Sequence, residues 1–326
     1  MHCIIPAAGK GTRMRPLTWS NPKPLLPVAG KPILAHVIDT LCGAGVNHIT
    51  LITGYLGDAV VSWTRNAYPE LKVDFAVQEN PDGLASAVLL AEEFTGDEPT
   101  MVVLGDTLFS ADLSVLKGEE RNLIVTCPVE DPSRFGVVIM ESERVVRFVE
   151  KPAEPVSNLA IVGVYYFSSG SRLMDSCREL KRRDIRTRGE YQLTDAMQLM
   201  LQQGEPFGTL NIRSWYDCGK PETLLETNRA LLSEFQNHSN VVLEDSTVIS
   251  PCFFGTGTRI RNSVVGPFFS CGENVLVQDS RISDTITGDA CTFSNSVIEG
   301  SVTGQRVSVT GVSGRIFLGD DSIASS

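Results

Sequence analysis

Apolar residues in the first 235 positions fall into short runs whose period changes along the chain. Residues 3–7 form a five-residue apolar run that stops at a glycine turn, and 49–53, 73–77 and 100–104 are similar runs bounded by turn-forming residues, which predicts buried strands. Between them, 32–41 and 84–94 place apolar residues at helical spacing, the first with Pro32 at a favoured opening position. Residues 145–149 read as a further strand, and 196–201 as part of an amphipathic helix. Strand and helix alternating in this way predict an α/β domain with a mostly parallel sheet, whose ligands bind beyond the carboxyl ends of the strands.

Past His238 the pattern changes. Lysine and helical spacing both disappear, and short β-branched pieces are separated by Gly, Asn, Asp and Ser. Val242, Val248, Phe254 and Ile260 stand six residues apart, and after a shorter step Val264, Ser270, Leu276 and Ile282 resume the interval. Such a period predicts a hexapeptide β-helix, with a small β-sandwich as the plainer alternative, and it fades after Ile282. The expected division is therefore residues 1–237 and residues 238–326. A few coils bury little surface alone, so they are expected to stack on the first domain or on a second copy, giving a homo-oligomer through the β-helix.

Composition narrows the chemistry. The 326 residues carry a formal net charge of −11 with no basic stripe, which argues against nucleic acid as a partner. No apolar stretch is long enough to span a membrane, and the first residues run straight into a strand and its turn rather than a signal peptide. The eight cysteines include no C-x-x-C pair and the four histidines are scattered in sequence, so zinc is not expected. Reduced thiols in the cytoplasm are the simpler reading. An acidic chain that binds anionic nucleotides has to gather positive charge locally or use metal ions.

The run Ala8-Gly9-Lys10-Gly11-Thr12-Arg13 follows the first strand, with Lys23-Pro24-Leu25 shortly after. A glycine turn at a strand end leaves backbone N–H groups facing a phosphate, and Arg13 and Lys23 bring positive charge to the same mouth. It is neither a Walker A loop, because Lys10 is not followed by Ser or Thr, nor a dinucleotide fingerprint, because position 14 is Met. Asp106 ends one strand and Asp217 another, either as metal-binding oxygen ligands or as a turn former and a helix cap. Lys151, in Glu150-Lys151-Pro152, is a point charge for a phosphate or a solvated surface lysine. The Gln78 amide offers a donor and an acceptor matching the edge shared by uracil and thymine, and Gly83 allows close backbone approach; a polar cap is the plainer role for Gln78. In Glu190-Tyr191-Gln192-Leu193-Thr194-Asp195, Thr194 or Asp195 is either a helix N-cap or a substrate contact.

Seven of these motifs stand in one order: G-K-G-T-R-M-R-P-L-T at 9–18, N-P-K-P-L-L-P-V at 21–28, Q-E-N-P-D-G-L-A at 78–85, L-G-D at 104–106, E-K-P at 150–152, E-Y-Q-L-T-D at 190–195 and W-Y-D-C-G at 215–219. In this order the chain resembles the sugar nucleotidyltransferases, closest to the long-form glucose-1-phosphate thymidylyltransferase and uridylyltransferase type. The resemblance implies a Rossmann-like domain followed by a left-handed β-helix, with a nucleoside triphosphate and a sugar 1-phosphate as substrates and Mg²⁺ as cofactor. It implies that Ala8, Gly9, Gly11 and Thr12 cradle the triphosphate and that Arg13 and Lys23 neutralise it. Gln78 and Gly83 would read the base, Asp106 and Asp217 would hold the metal, and Lys151, Glu150 and Gly136 would take the sugar phosphate. Thr107 departs from the Asn that many relatives carry there. An N-acetylglucosamine-1-phosphate uridylyltransferase with added acetyl transfer is the alternative, weakened by the lack of histidine past His238. A non-catalytic scaffold subunit is the alternative of another class.

Overall fold

The computed structural model describes residues 1–116, 118–212, 215–234 and 241–326, so the expected domain boundary at 237–238 lies outside the described residues. The chain packs as two compact units, one of Met1–Gly9 with Val37–Trp215 and one of Lys10–His36 with Tyr216–Ser326. Packing thus groups the stretch that carries Gly11, Arg13 and Lys23 with the C-terminal coils, which chain order does not suggest.

In the first unit, β1 (His2–Pro6), β2 (His48–Thr53), β3 (Lys72–Val77) and β4 (Thr100–Val103) lie parallel in the order β3-β2-β1-β4. Cys3, Ile4 and Ile5 of β1 are fully buried, as expected of a strand covered on both faces. The sheet continues through β5 (Asn122–Pro128), β6 (Gly136–Glu141), β7 (Arg144–Glu150), β8 (Leu159–Phe167) and β9 (Phe207–Asn211). Strand β8 runs antiparallel to β4, β5 and β6, β7 runs antiparallel to β6, and β9 parallel to β5. The sheet is therefore mixed, with its parallel half where the glycine turn emerges.

Helix α1 (Ile33–Gly43) matches the expectation for 32–41, and α2 (Gly57–Ala67) follows β2. The helix expected over 84–94 stops early, as α3 (Leu84–Leu89) and then a 3₁₀ turn at Glu92–Phe94. There the Thr95 hydroxyl donates to the Ala91 carbonyl at 2.8 Å, a side-chain bond that competes with helix continuation. Helix α4 (Gly170–Arg182) begins where the Ser169 hydroxyl accepts from the Arg172 amide, and it ends on Lys181 and Arg182, which suit its negative pole. Its buried stripe, Leu173, Cys177 and Leu180, joins Ile4 and Val102 of the sheet and Met197 of α5 (Leu193–Gln202) in one core.

The second unit holds α6 (Pro221–Glu234) and coils of parallel strands. Val241 pairs with Thr258, Arg259 with Leu276, Leu276 with Thr292, Thr292 with Ser308 and Ser308 with Ile323, a spacing of 17 residues that shrinks to 15. Three strict hexads per coil would need more, so the expected phase slips. Phe254, Ile260 and Ile282 point inward and Val248 packs on the same core as expected, but Val265 and Val277 join it rather than Val264 and Leu276, as do Cys252, Phe269, Cys271 and Val275, and Val242 is exposed. A one-residue shift exchanges the faces of a strand. Nor does the pattern end at Ile282, since Phe293, Ile298 and Val309 extend the same core. Serines stack along the coils: the amides of Ser263, Ser280, Ser296 and Val312 donate to the hydroxyls of Ser246, Ser263, Ser280 and Ser296. Such side-chain bonds satisfy backbone donors at the corners, where the strand ladder breaks. Among the described residues no helix is long and apolar enough to cross a membrane.

Candidate active site

Parallel pairing sets neighbouring strand ends level in the first unit. The Ala7 amide donates to Ile52 O at 2.8 Å, Gly105 N to Pro6 O at 3.1 Å and Gln78 N to Thr53 O at 2.8 Å. Ala8 and Gly9, Gln78, and Asp106 therefore leave the sheet at the carboxyl ends of β1, β3 and β4, where ligands of open α/β sheets bind. Asp106 is half-buried in the turn after β4.

Gly83 meets its own chain. Its φ is +129°, and a Cβ there would stand 2.3 Å from Tyr191 O and 2.5 Å from Tyr191 N. The backbone is bound on both sides of it: Tyr191 N donates to Asp82 O at 2.8 Å, and Ala85 N donates to Tyr191 O at 2.9 Å. Gln78 Nε2 reaches Gly83 O at 3.5 Å, a long contact that leaves the amide half-buried beside this turn. The motifs at 78–85 and 190–195 are thus one structural piece.

That piece continues into Gly136, Glu150 and Lys151. Gly136 on β6 faces Glu150 on β7, and a Cβ on Gly136 would lie 3.0 Å from Glu150 Oε2 and 3.1 Å from Thr194 Oγ1. The Thr194 hydroxyl donates to Glu150 Oε2 at 2.7 Å, while Glu150 Oε1 pairs with Lys151 Nζ at 3.4 Å. Lys151 has φ +43°; its amide donates to Phe135 O at 2.9 Å and its carbonyl accepts from Arg188 at 2.8 Å, which fixes the bend that turns its ammonium. Burial raises the Asp195 carboxyl above the ordinary range; the Thr187 hydroxyl opposes this and the Glu150 charge adds to it. Asp195 Oδ2 is buried and has no hydrogen-bond partner among the described residues.

Thr194 and Asp195 are not N-caps. The cap of α5 is Gln192, without a side-chain bond, and both residues lie in the first helical turn. Their hydrogen-bonding capacity faces Glu150 and Thr187 instead. Sequence reasoning missed Arg188 altogether; its only signal was a pair of arginines, Arg186 and Arg188, just before the 190–195 motif.

The remaining expected residues belong to the second unit. Gly11 is left-handed at φ +60°, opening a 3₁₀ turn at Thr12–Met14, and its carbonyl accepts from the Thr18 hydroxyl at 2.8 Å. A Cβ on Gly11 would lie 2.9 Å from Thr18 Cγ2 and 3.1 Å from Lys23 Cβ, so the turn and the buried Lys23 are packed together. Arg13 and Asp217 meet across Gly219, where an added Cβ would stand 2.8 Å from Asp217 Oδ1 and 2.9 Å from Arg13 Nη2. Asp217 is half-buried at the end of the short strand Trp215–Asp217. Asp106 and Asp217 belong to different units. Each is a carboxylate with solvent access, a hard oxygen donor of the kind divalent cations take.

The Ala8–Gly9 turn, Gln78 and Asp106 stand at the strand ends of a parallel half-sheet, the place where α/β enzymes bind their ligands. A family model described as Nucleotidyl transferase matches residues 2–234, and the chain belongs to that family. Enzymes of this family generally use a divalent metal. The chain is 31% identical to a glucose-1-phosphate thymidylyltransferase of Streptomyces griseus, with 99% of each chain covered. It is 32% identical to the UTP–glucose-1-phosphate uridylyltransferase AglF of Haloferax volcanii, over 72% of this chain and 98% of that one. Among solved structures, a Bacillus anthracis protein described as a glucose-1-phosphate thymidylyltransferase, in complex with a sucrose, superposes with a TM-score of 0.63 at 29% identity, covering 73% of this chain and 98% of that one.

Proposed function

We propose that the protein transfers a thymidylyl or uridylyl group from dTTP or UTP to a hexose 1-phosphate, glucose 1-phosphate first, giving a nucleoside-diphosphate sugar and pyrophosphate. The observation that carries this reading is the joint at Gly83 and Tyr191, which ties the base-side motif to the Thr194, Glu150 and Lys151 cluster in one unit. The names of the Streptomyces and Haloferax relatives agree with it.

The phosphate of the sugar is its own nucleophile, because its second pKa is about 6 and it is largely dianionic near neutral pH. One of its oxygens forms the new bond to the α-phosphorus, and the bond to the β-phosphate oxygen breaks in line, with pyrophosphate carrying away the electron pair. The chain therefore supplies position and charge rather than a nucleophile. Backbone amides of the Gly9 to Thr12 turn hold the triphosphate, Arg13 and Lys23 neutralise it, and Lys151 grips the sugar phosphate. Gln78 and Gly83 take the pyrimidine edge, and Glu150 and Gly136 the sugar. Asp106 and Asp217 would hold Mg²⁺, which when bound screens the phosphate charge. None of the cysteines is disulfide-bonded and none is assigned a role; the enzyme is assigned to the cytoplasm and the coils to self-association.

The test is pyrophosphate release from dTTP, UTP, GTP, CTP and ATP against several sugar 1-phosphates. Release with dTTP or UTP and glucose 1-phosphate is expected. Release only with a purine nucleotide would refute the base assignment, and no release with any pair would favour a scaffold subunit.

A further inference from the structure

At the amino-terminal end of the sheet, away from the strand ends that carry the nucleotide motifs, β1 and β2 both begin with histidine. Parallel register sets His2 opposite His48, with rings stacked 4.4 Å apart between centroids and 27° between planes. Two of the four histidines, remote in sequence, are therefore neighbours. Each ring is anchored through Nε2, which leaves Nδ1 for a ligand: His2 Nε2 shares a hydrogen bond with Thr50 Oγ1 at 2.8 Å, and His48 Nε2 with Asp74 Oδ2 at 2.6 Å. His2 is 1% exposed, and its Nδ1 has no hydrogen-bond partner among the described residues. A buried nitrogen left so is costly unless something ligates it. The segment entering β4 brings in Glu98, and one nitrogen of each ring and a carboxylate oxygen of Glu98 all lie within 4.8 Å of one another. Glu98 also lines a cavity of about 720 Å³ together with Met1, Pro99, Tyr166 and Arg172.

We propose that His2, His48 and Glu98 bind a divalent transition-metal ion of the zinc type, at a site separate from the nucleotide motifs. Two imidazoles and a carboxylate suit such an ion, whereas magnesium prefers oxygen ligands and sheds water reluctantly. Anchoring each ring by its far nitrogen is the outer-shell pattern that orients the near nitrogen toward a metal, here through Asp74 and Thr50. Three protein ligands leave one tetrahedral position for water, on the Glu98 side that borders the cavity. Bonds of about 2.0–2.1 Å bring ligand atoms to roughly 3.4 Å from each other, so on binding the exposed Glu98 side chain and the stacked rings turn toward one point.

The test is calorimetric titration of the chelator-stripped full chain, untagged at its N-terminus, with Zn²⁺, repeated with Co²⁺ for its ligand-field absorption. One site per chain is expected, with a raised melting temperature. Glu98→Gln and His48→Ala, each verified as folded by circular dichroism in EDTA, should bind at least ~10-fold more weakly and lose the zinc-dependent rise. Asp74→Asn, which frees the far nitrogen of His48 without touching the ion, should weaken binding about 10-fold or more. Absence of saturable zinc binding in the parent chain overturns the proposal. So does a one-site isotherm that is unchanged in both Glu98→Gln and His48→Ala.

Discussion

Replacing Asn228 with alanine asks whether one amide holds the segment bearing Gly11, Arg13 and Lys23 onto the coils. Asn228 lies on α6 and is fully buried. Its Oδ1 accepts from the Ala29 amide at 2.9 Å and from the Ser270 hydroxyl at 2.8 Å, and its Nδ2 donates to Phe268 O at 3.1 Å. Alanine leaves the Ala29 N–H and the Phe268 carbonyl without these partners, at about 1–3 kcal/mol for each group that stays dry. The Ser270 hydroxyl can rotate and adds less. A void the size of the lost amide admits water and returns part of the cost, so the net loss is on the order of 3 kcal/mol. That is a large share of a typical stability of roughly 5–15 kcal/mol. Urea unfolding followed by far-ultraviolet circular dichroism reads the loss, with Ser270→Ala as the comparison, because it removes only one of the three bonds and should cost about 1 kcal/mol. The KM for the nucleoside triphosphate should rise in Asn228→Ala, since the turn at Gly11 loses an anchor. A stability loss under ~1 kcal/mol, or one no larger than that of Ser270→Ala, refutes the reasoning.

Gly83→Ala should destabilise the chain by at least about 1–3 kcal/mol and cut turnover, because its φ of +129° is strained for alanine and the new Cβ meets backbone atoms of Tyr191; a melting temperature equal to that of the parent would rule this out. Asp106→Asn should reduce kcat by ~100-fold or more with folding intact, and unchanged pyrophosphate release would sink its metal role. Burial, helped by His48 and Lys72 and opposed by Glu98 and Asp74, holds the His2 imidazole down at about 4 from 6.5. The unfolded chain therefore takes up this proton first, so the stability contribution is whole above about pH 6.5 and is lost as the pH falls toward 4, by on the order of 3 kcal/mol. In EDTA, His2→Asn should flatten that part of the pH–stability curve, and parallel curves for the two proteins would contradict it.

Local chemistry was legible in the sequence, and pairings set by register were not. The first strand, its glycine turn and the strand before Asp106 could be read because apolar runs and turn residues act over a few positions. The histidine pair could not, since His2 and His48 meet only through the register of β1 with β2. Hexad counting found the coils but lost their phase at Val264, because coils of 17 to 15 residues cannot keep three equal sixes, and each dropped residue turns the next strand over. Change of texture marked residue 238, yet the 10–36 stretch packs with α6 and the coils through contacts such as Ala29 to Asn228, which in turn bonds Phe268 and Ser270, and no composition shift announces this.

Gly83 shows the same limit from the side of function. Its sequence role was to let a base approach, whereas the atoms that exclude a side chain there are those of Tyr191. The two readings are compatible and have a joint consequence. Tyr191 is bound through both its backbone groups to the turn around Gly83, and three residues later Thr194 holds Glu150 beside Lys151. A displacement of that short segment moves the turn around Gly83 and the Glu150 carboxylate together. Substitutions that shift it should therefore change the KM values for nucleotide and sugar phosphate in concert, while substitutions at the Gln78 amide should change the nucleotide value alone.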